Sequence, residues 1–290
     1  ESVTAGNTFA VTSIGSSAFS DCSGLTSVTI SNSVASIGSE AFYGCSGLTS
    51  VTIPNSVTSI GSGAFDGCVN LDYTAYGNAF YIGNEENPYL VLVEAKNKKI
   101  ESCNIHNKCK YINNDAFNGC TSLTSVTIPN SVTSIGSSAF YDCYNLTKAE
   151  FASIEGLCNI SFDGYSANPL YNAHNLYIDG EKVINLVIPE TVSRIGDYAF
   201  YGCTSIASLH VSDSVTSIGS SAFRGCYQLA NIEIPNSVTQ IGDGAFYGCS
   251  GLKSLSYNSN AIGSQFNNIG SLVSIFIGDS IKNIGGSEFN

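Results

Sequence analysis

Apolar residues recur along most of the chain in one fixed phrase, clearest from Leu48 to Cys68, LTSVTIPNSVTSIGSGAFDGC. The phrase returns from Leu25 and Leu123 and, with more substitutions, from Ile206 and Leu229. Val51 and Ile53 are two apart and flanked by Ser50, Thr52 and Pro54, the period of a short strand with one face buried. Pro54-Asn55-Ser56 ends that strand, because proline has no N–H for a ladder and Asn and Ser suit a turn. Ile60, Ala64, Phe65 and Cys68 then fall at the spacing of one helical face, with Gly67 placed to end it at positive φ. The unit predicted is one strand, one turn and one short helical segment. Such a unit cannot bury its apolar face alone, so copies must stack, with strands pairing about 4.8 Å apart into a parallel sheet. About ten rungs, a sheet about 50 Å long, follow from that spacing.

The phenylalanines number the rungs: Phe19, Phe42, Phe65, Phe117, Phe140, Phe200, Phe223, Phe246, Phe266 and Phe289. Most steps are 23 residues, and three are not. The 52-residue step from Phe65 predicts an inserted hairpin, with Phe80–Ile82 and Tyr89–Val93 as its strands. The 60-residue step from Phe140 predicts a helix within Ala152–Phe162 and a second hairpin around Asp179-Gly180. The short step to Phe266 lacks the Pro-Asn-Ser turn, which suggests an array fraying toward its end. The organisation expected is one array over 1–290, with insertions at about 72–100 and 152–184 and a degenerate rung from about 250.

Composition narrows the partners. The chain has 290 residues and a net charge of −12, with only 11 Lys and Arg. That argues against nucleic acid and anionic membrane, both of which reward clustered basic residues. No apolar run approaches the roughly 20 residues needed to span a bilayer. The chain has no Met, which reads as a mature or trimmed segment whose signal peptide, if any, lies outside it. Of the 11 cysteines, Cys22, Cys45, Cys68, Cys120, Cys143, Cys203, Cys226 and Cys249 each follow a repeat phenylalanine by three residues. They are therefore expected as a buried packing column, with Cys103 and Cys109 standing in for valines and Cys158 outside the pattern. No CxxC or Cys-His spacing suggests zinc, and no cofactor motif is present.

The SVTIPNSVTSIGSSAF phrases, such as Ser125 to Cys143, resemble the BspA-like leucine-rich repeats of bacterial surface proteins. The inserts at Ala79–Ala95 and Glu155–Val183 resemble elements of that family too. The resemblance implies an α/β repeat, a curved leucine-rich-repeat solenoid with its parallel sheet on the concave face and short helical segments opposite. It also implies extracellular or cell-surface display and binding of a host or other extracellular protein. It carries over no catalytic residue.

In that fold the strand residues between buried ones face the concave side. Regular rungs offer only Ser and Thr there, while later rungs offer Lys148 and Glu150, then His210, Glu233 and Phe276. The inserts compete through Tyr81, Tyr89 and Tyr171, since tyrosine is favoured at interfaces. His106, at a turn position, is expected to be exposed, and none of the three histidines lies in a nucleophile, zinc or triad motif. The function expected is therefore adhesin-like protein binding, not catalysis. The alternatives are carbohydrate binding by the insert aromatics, or a spacer within a larger surface protein.

Overall fold

A computed structural model describes residues 10–61, 63–258, 266 and 271–279. Regular rungs carry the expected strand, as in Ser27–Thr29, Ser50–Thr52 and Ser125–Ile128. Neighbours pair parallel in the register of the repeat, Ser27 facing Ser50 and Ser102 facing Ser125. This sheet runs in three blocks. The first holds Ser27–Thr29 and Ser50–Thr52; the second runs from Ser102–Asn104 to Glu181–Lys182; the third runs from Asn185–Val187 to Ser274–Ile277.

The segment expected to be helical is something else. Ile60 lies in a second, two-residue strand, Ser59–Ile60, stacked in parallel on Ser36–Ile37 and Ser13–Ile14. The chain then enters a run of turns closed by i→i−3 bonds, such as Tyr43 N–H to the Glu40 carbonyl (3.0 Å) and Cys45 N–H to the Phe42 carbonyl (3.2 Å). Alternate amides point out of the turn and into the next rung: Phe42 N–H bonds the Ala64 carbonyl and Gly44 N–H the Asp66 carbonyl, both at 2.8 Å. The backbone achieves this by placing two residues four apart at positive φ, Glu40 (57°) with Gly44 (66°), or Ser138 (55°) with Asp142 (59°). A right-handed helix cannot pass through such positions. The fold is accordingly a β-solenoid of about 11 turns with very little helix. The Ile-Gly dipeptides have their own cause: a Cβ on Gly61 would lie 2.3 Å from the Ser39 nitrogen, so the rungs can close up only over glycine.

Inside, like residues stack on like. Phe19, Phe42 and Phe65 stack at 5.2 and 5.4 Å between ring centroids, and Phe200, Phe223, Phe246 and Phe266 continue the ladder at 5.0, 5.2 and 4.9 Å. The cysteine column lies beside it, buried except for Cys22. Each of several Sγ atoms donates to the phenylalanine carbonyl of the preceding rung, as Cys45 does to Phe19 and Cys143 to Phe117, both at 3.1 Å. Burial pushes the Cys68 and Cys143 thiols up to about 12, so they pack as small apolar groups. Cys103, Cys109 and Cys158 are buried as well.

Both insertions conceal a rung. In the first, Ala79–Ile82 and Val91–Ala95 form an antiparallel pair, extended by Thr74–Tyr76. Val91–Ala95 is also the short strand of a rung, since Val91 and Leu92 pair in parallel with Tyr111 and Ile112. Val91 and Val93 enter the N-terminal core while Leu92 and Ala95 enter the C-terminal one, so this strand is the wall between two hydrophobic clusters. In the second, the helix is confined to Ile154–Asn159, capped by Ser153 Oγ accepting from Gly156 N–H. Ser161–Phe162 then pairs as a short strand with Ser134–Ile135. Leu176–Ile178 continues the main sheet and turns back through Asp179-Gly180 into Glu181–Lys182, the second hairpin. Nine ladder phenylalanines among the described residues, with two rungs that carry none, make about 11 turns, close to the ten expected. Beyond residue 250 the sheet keeps register, Ser254–Tyr257 pairing with Ser274–Ile277. Phe289 lies outside the described residues.

Phe223 stacks on rings both above and below, so Phe223→Ala is expected to destabilise the solenoid by about 3–5 kcal/mol in denaturant unfolding. A loss under about 1 kcal/mol would show that the ladder does not hold the rungs.

Candidate binding surface

Strand register places the variable sheet residues in rows. Val187, His210, Glu233, Ser256 and Phe276 face one another in turn across five parallel strands. His210 Nδ1 lies 3.1 Å from Glu233 Oε2, with both side chains more than half exposed. Phe276 is 61% exposed. Three of the candidate residues therefore share one open row. Lys148 and Glu150 do other work. Lys148 Nζ pairs with Glu150 Oε2 at 2.8 Å and sits 4.9 Å above the Tyr177 ring, while Glu150 Oε1 accepts Gly180 N–H at 2.8 Å. The hydrogen bond from Lys148 holds the Glu150 carboxyl below its usual range. The pair ties the second hairpin to the sheet.

The aromatics of the first insert form a box. Tyr81 is fully buried and its hydroxyl accepts His106 N–H at 3.3 Å, so it braces the insert and offers no contact area. Tyr89 stacks on the His106 ring at 3.7 Å, and Tyr76 meets both edge-on at 5.7 and 4.6 Å. His106 is half-buried, not exposed, because its ring is sandwiched there and its Nδ1 accepts Lys108 N–H at 3.1 Å. Burial, with Lys108 nearby, lowers its pKa.

A third surface goes beyond the sequence expectation. In the Ala-Phe-Tyr form of the repeat, the tyrosine after each ladder phenylalanine faces out: Tyr43, Tyr141 and Tyr247 are exposed, and Tyr201 partly so. The second insert brings Tyr165 and Tyr171 onto this column. Tyr165 lies 5.1 Å from Tyr171 and 5.6 Å from Tyr201, and Tyr171 lies 6.1 Å from Tyr201. Arg224 stacks on Tyr247 at 4.6 Å. Burial raises the Tyr171 and Tyr201 hydroxyls; Tyr141 and Asp142 act on the first, and Arg224 and Tyr227 on the second, so these groups form one neighbourhood. Tyr144, 70% exposed, and Tyr227 lie on the same surface. Its signal in the sequence is a tyrosine one residue after the ladder position. That signal is obscured because Tyr177, close in sequence to Tyr165 and Tyr171, belongs to the sheet face instead.

Among the described residues no group of three or more His, Cys, Asp or Glu side chains is placed to hold a metal ion. No described helix is long and apolar enough to cross a membrane.

Residues 2–85, 95–176 and 172–290 match the family profile of the BspA type leucine-rich repeat region. A leucine-rich repeat protein from Bacteroides ovatus, solved by crystallography, is 28% identical with a TM-score of 0.51, over 95% of this chain and 66% of its own. A leucine-rich repeat protein from Eubacterium ventriosum is 22% identical, TM-score 0.46, over 96% and 67%. A leucine-rich cell surface protein from Faecalibacterium prausnitzii is 27% identical, TM-score 0.34, over 95% and 85%. The chain thus spans about two thirds of the length of the first two. No curated protein sequence matches it.

The His106 contacts yield a pH prediction. A histidine pKa lowered in the fold gives stability that is present above its unfolded value of 6.5 and is lost as pH falls below it. The Lys108 amide should be protected from hydrogen exchange at neutral pH. That protection should be lost as pH falls below 6.5, after correction for intrinsic rates, because protonated Nδ1 no longer accepts. Protection of the Lys108 amide left unchanged at neutral pH by His106→Phe, which removes the acceptor, would contradict the assignment.

Proposed function

The chain belongs to the BspA-type leucine-rich repeat family, and from that premise we propose that it is a surface-displayed or secreted protein-binding module, adhesin-like in its action. The observation that carries this reading is the outward tyrosine surface, with Tyr141, Tyr165, Tyr171, Tyr201 and Tyr247 alongside Arg224. Tyrosine and arginine dominate the energetics of protein interfaces, because each gives a large contact area with a polar tip. Here the rings also brace one another, so little side-chain entropy remains to be lost on binding. The cluster sits on a scaffold that does not need it for its own core, since the rungs are held by the ladder beneath. The net charge of −12 favours a partner with basic segments and gives no support for nucleic acid. Family membership supports display at the cell surface. The open setting of His210 and Glu233 favours recognition over catalysis, which needs a pocket that excludes water.

The test is a binding screen of the purified chain against extracellular matrix proteins, with two double variants beside it. Tyr165→Ala with Tyr201→Ala should weaken binding by about tenfold or more. His210→Ala with Glu233→Ala should change it little. The reverse pattern would move recognition to the sheet face, and no binding by a folded chain would favour a spacer.

A further inference from the structure

The phenylalanine ladder is interrupted where the first insert supplies a rung. Ala95 N–H donates to the Ala116 carbonyl at 2.8 Å, as Phe42 does to Ala64 and Phe117 to Ala139. Ala95 therefore stands at the ladder position, and a benzyl side chain is missing between Phe65 and Phe117. The second insert has the same substitution: Phe140 N–H bonds the Ser166 carbonyl, which puts Ala167 at the ladder position. There, fully buried Leu170 supplies bulk nearby. After Ala95 come exposed residues 96–99, of which Lys98 lines the cavity beside Phe65 and none is apolar and bulky.

A cavity of about 500 Å³ lies between the rung of Phe65 and the residues 113–115, within the usual range of ligand pockets. Half-buried Tyr73 gives it an aromatic lining, with the fully buried Phe65 behind. Tyr73 is fixed, its hydroxyl donating to the Cys68 carbonyl at 2.9 Å and its ring stacked on Phe80 at 5.7 Å. Exposed Tyr43 also lines it. In the same lining, buried Asn113 donates from Nδ2 to Asp66 Oδ1 at 2.6 Å, which leaves the second Asp66 oxygen as an acceptor. Burial raises the Asp66 carboxyl to about 6 against the Asn113 hydrogen bond, with Asp115 and Glu40 adding to the rise.

Exposed and half-buried aromatic rings in one cavity with a carboxylate–amide pair match a sugar. A sugar ring has an apolar C–H face to lay on an aromatic ring, and on its edge adjacent hydroxyls that both donate and accept. We propose that this notch is a saccharide-binding site that takes a single sugar ring, such as the terminal residue of a glycan. Its lining includes Tyr43 of the outward tyrosine column but none of Tyr141, Tyr165, Tyr171, Tyr201, Tyr247 or Arg224, so its failure leaves the protein-binding reading untouched.

The test is titration of the full chain with free glucose, galactose, N-acetylglucosamine, N-acetylgalactosamine and fucose, followed by saturation-transfer NMR. Binding of at least one, at a Kd of about 1 mM or tighter, is expected. Asp66→Ala and, separately, Tyr43→Ala should each weaken it about tenfold. Tyr43 is exposed, so the second variant tests the site without disturbing the core. No binding by any sugar, or binding undiminished in both folded variants, would overturn the proposal. So would displacement of the sugar from the notch by calcium or methylammonium at lower concentration, which would make it a cation site.

Discussion

Everything in this molecule depends on keeping successive rungs in step at the spacing of paired strands. Strands in a sheet lie about 4.8 Å apart, and stacked aromatic rings prefer a similar offset separation. The ladder rings sit 4.9 to 5.4 Å apart, so one repeat length satisfies both requirements together. The backbone enforces the same step on the far side, where the amides of Phe42 and Gly44 leave their own turn to bond the next rung. Each rung thus contacts its neighbours and little else, and its side chains are chosen to match those directly above and below.

How much of this is legible in the residues alone depends on what each residue signals. The Val51–Ile53 alternation marks a strand because burial on one face has a period of two. The cysteine column is legible because its spacing from phenylalanine never changes. Asp179-Gly180 marks a hairpin by turn chemistry. The segment after the turn misleads because the spacing of Ile60, Ala64, Phe65 and Cys68 is that of a helical face, while the deciding feature is backbone sign. Gly67 advertises positive φ, but Glu40, Ser138 and Tyr198 adopt it with no such mark, held there by the rungs on either side. The hidden rungs escape notice for a related reason. Ala95 and Ala167 occupy the ladder position without its phenylalanine, so only the hydrogen-bond pattern reveals them.

Of the residues singled out by strand position, His210, Glu233 and Phe276 share a row by register, while Lys148 and Glu150 tie the second hairpin to the sheet. Those chosen for being aromatic within an insert divide. Tyr81 goes to the core, Tyr89 to a stack with His106, and Tyr171 to the outward tyrosine cluster. Composition draws tyrosine to both packing and interfaces, and only the fold separates the two. The inserts are therefore where the array departs from uniformity: one presents tyrosines beside those of the regular rungs, and the other helps line a notch beside the rung of Phe65.

The central claim is that the inserts are integral rungs of the solenoid and not appended loops. Residue-resolved native-state hydrogen exchange tests it directly. The amides of Ala95, Ser161 and Asp163, which bond to the next or previous rung at 2.8, 2.9 and 3.0 Å, should be protected comparably to Phe117 and Gly136 in regular rungs. Exchange of those three at loop-like rates, with Phe117 and Gly136 still protected, would contradict the account.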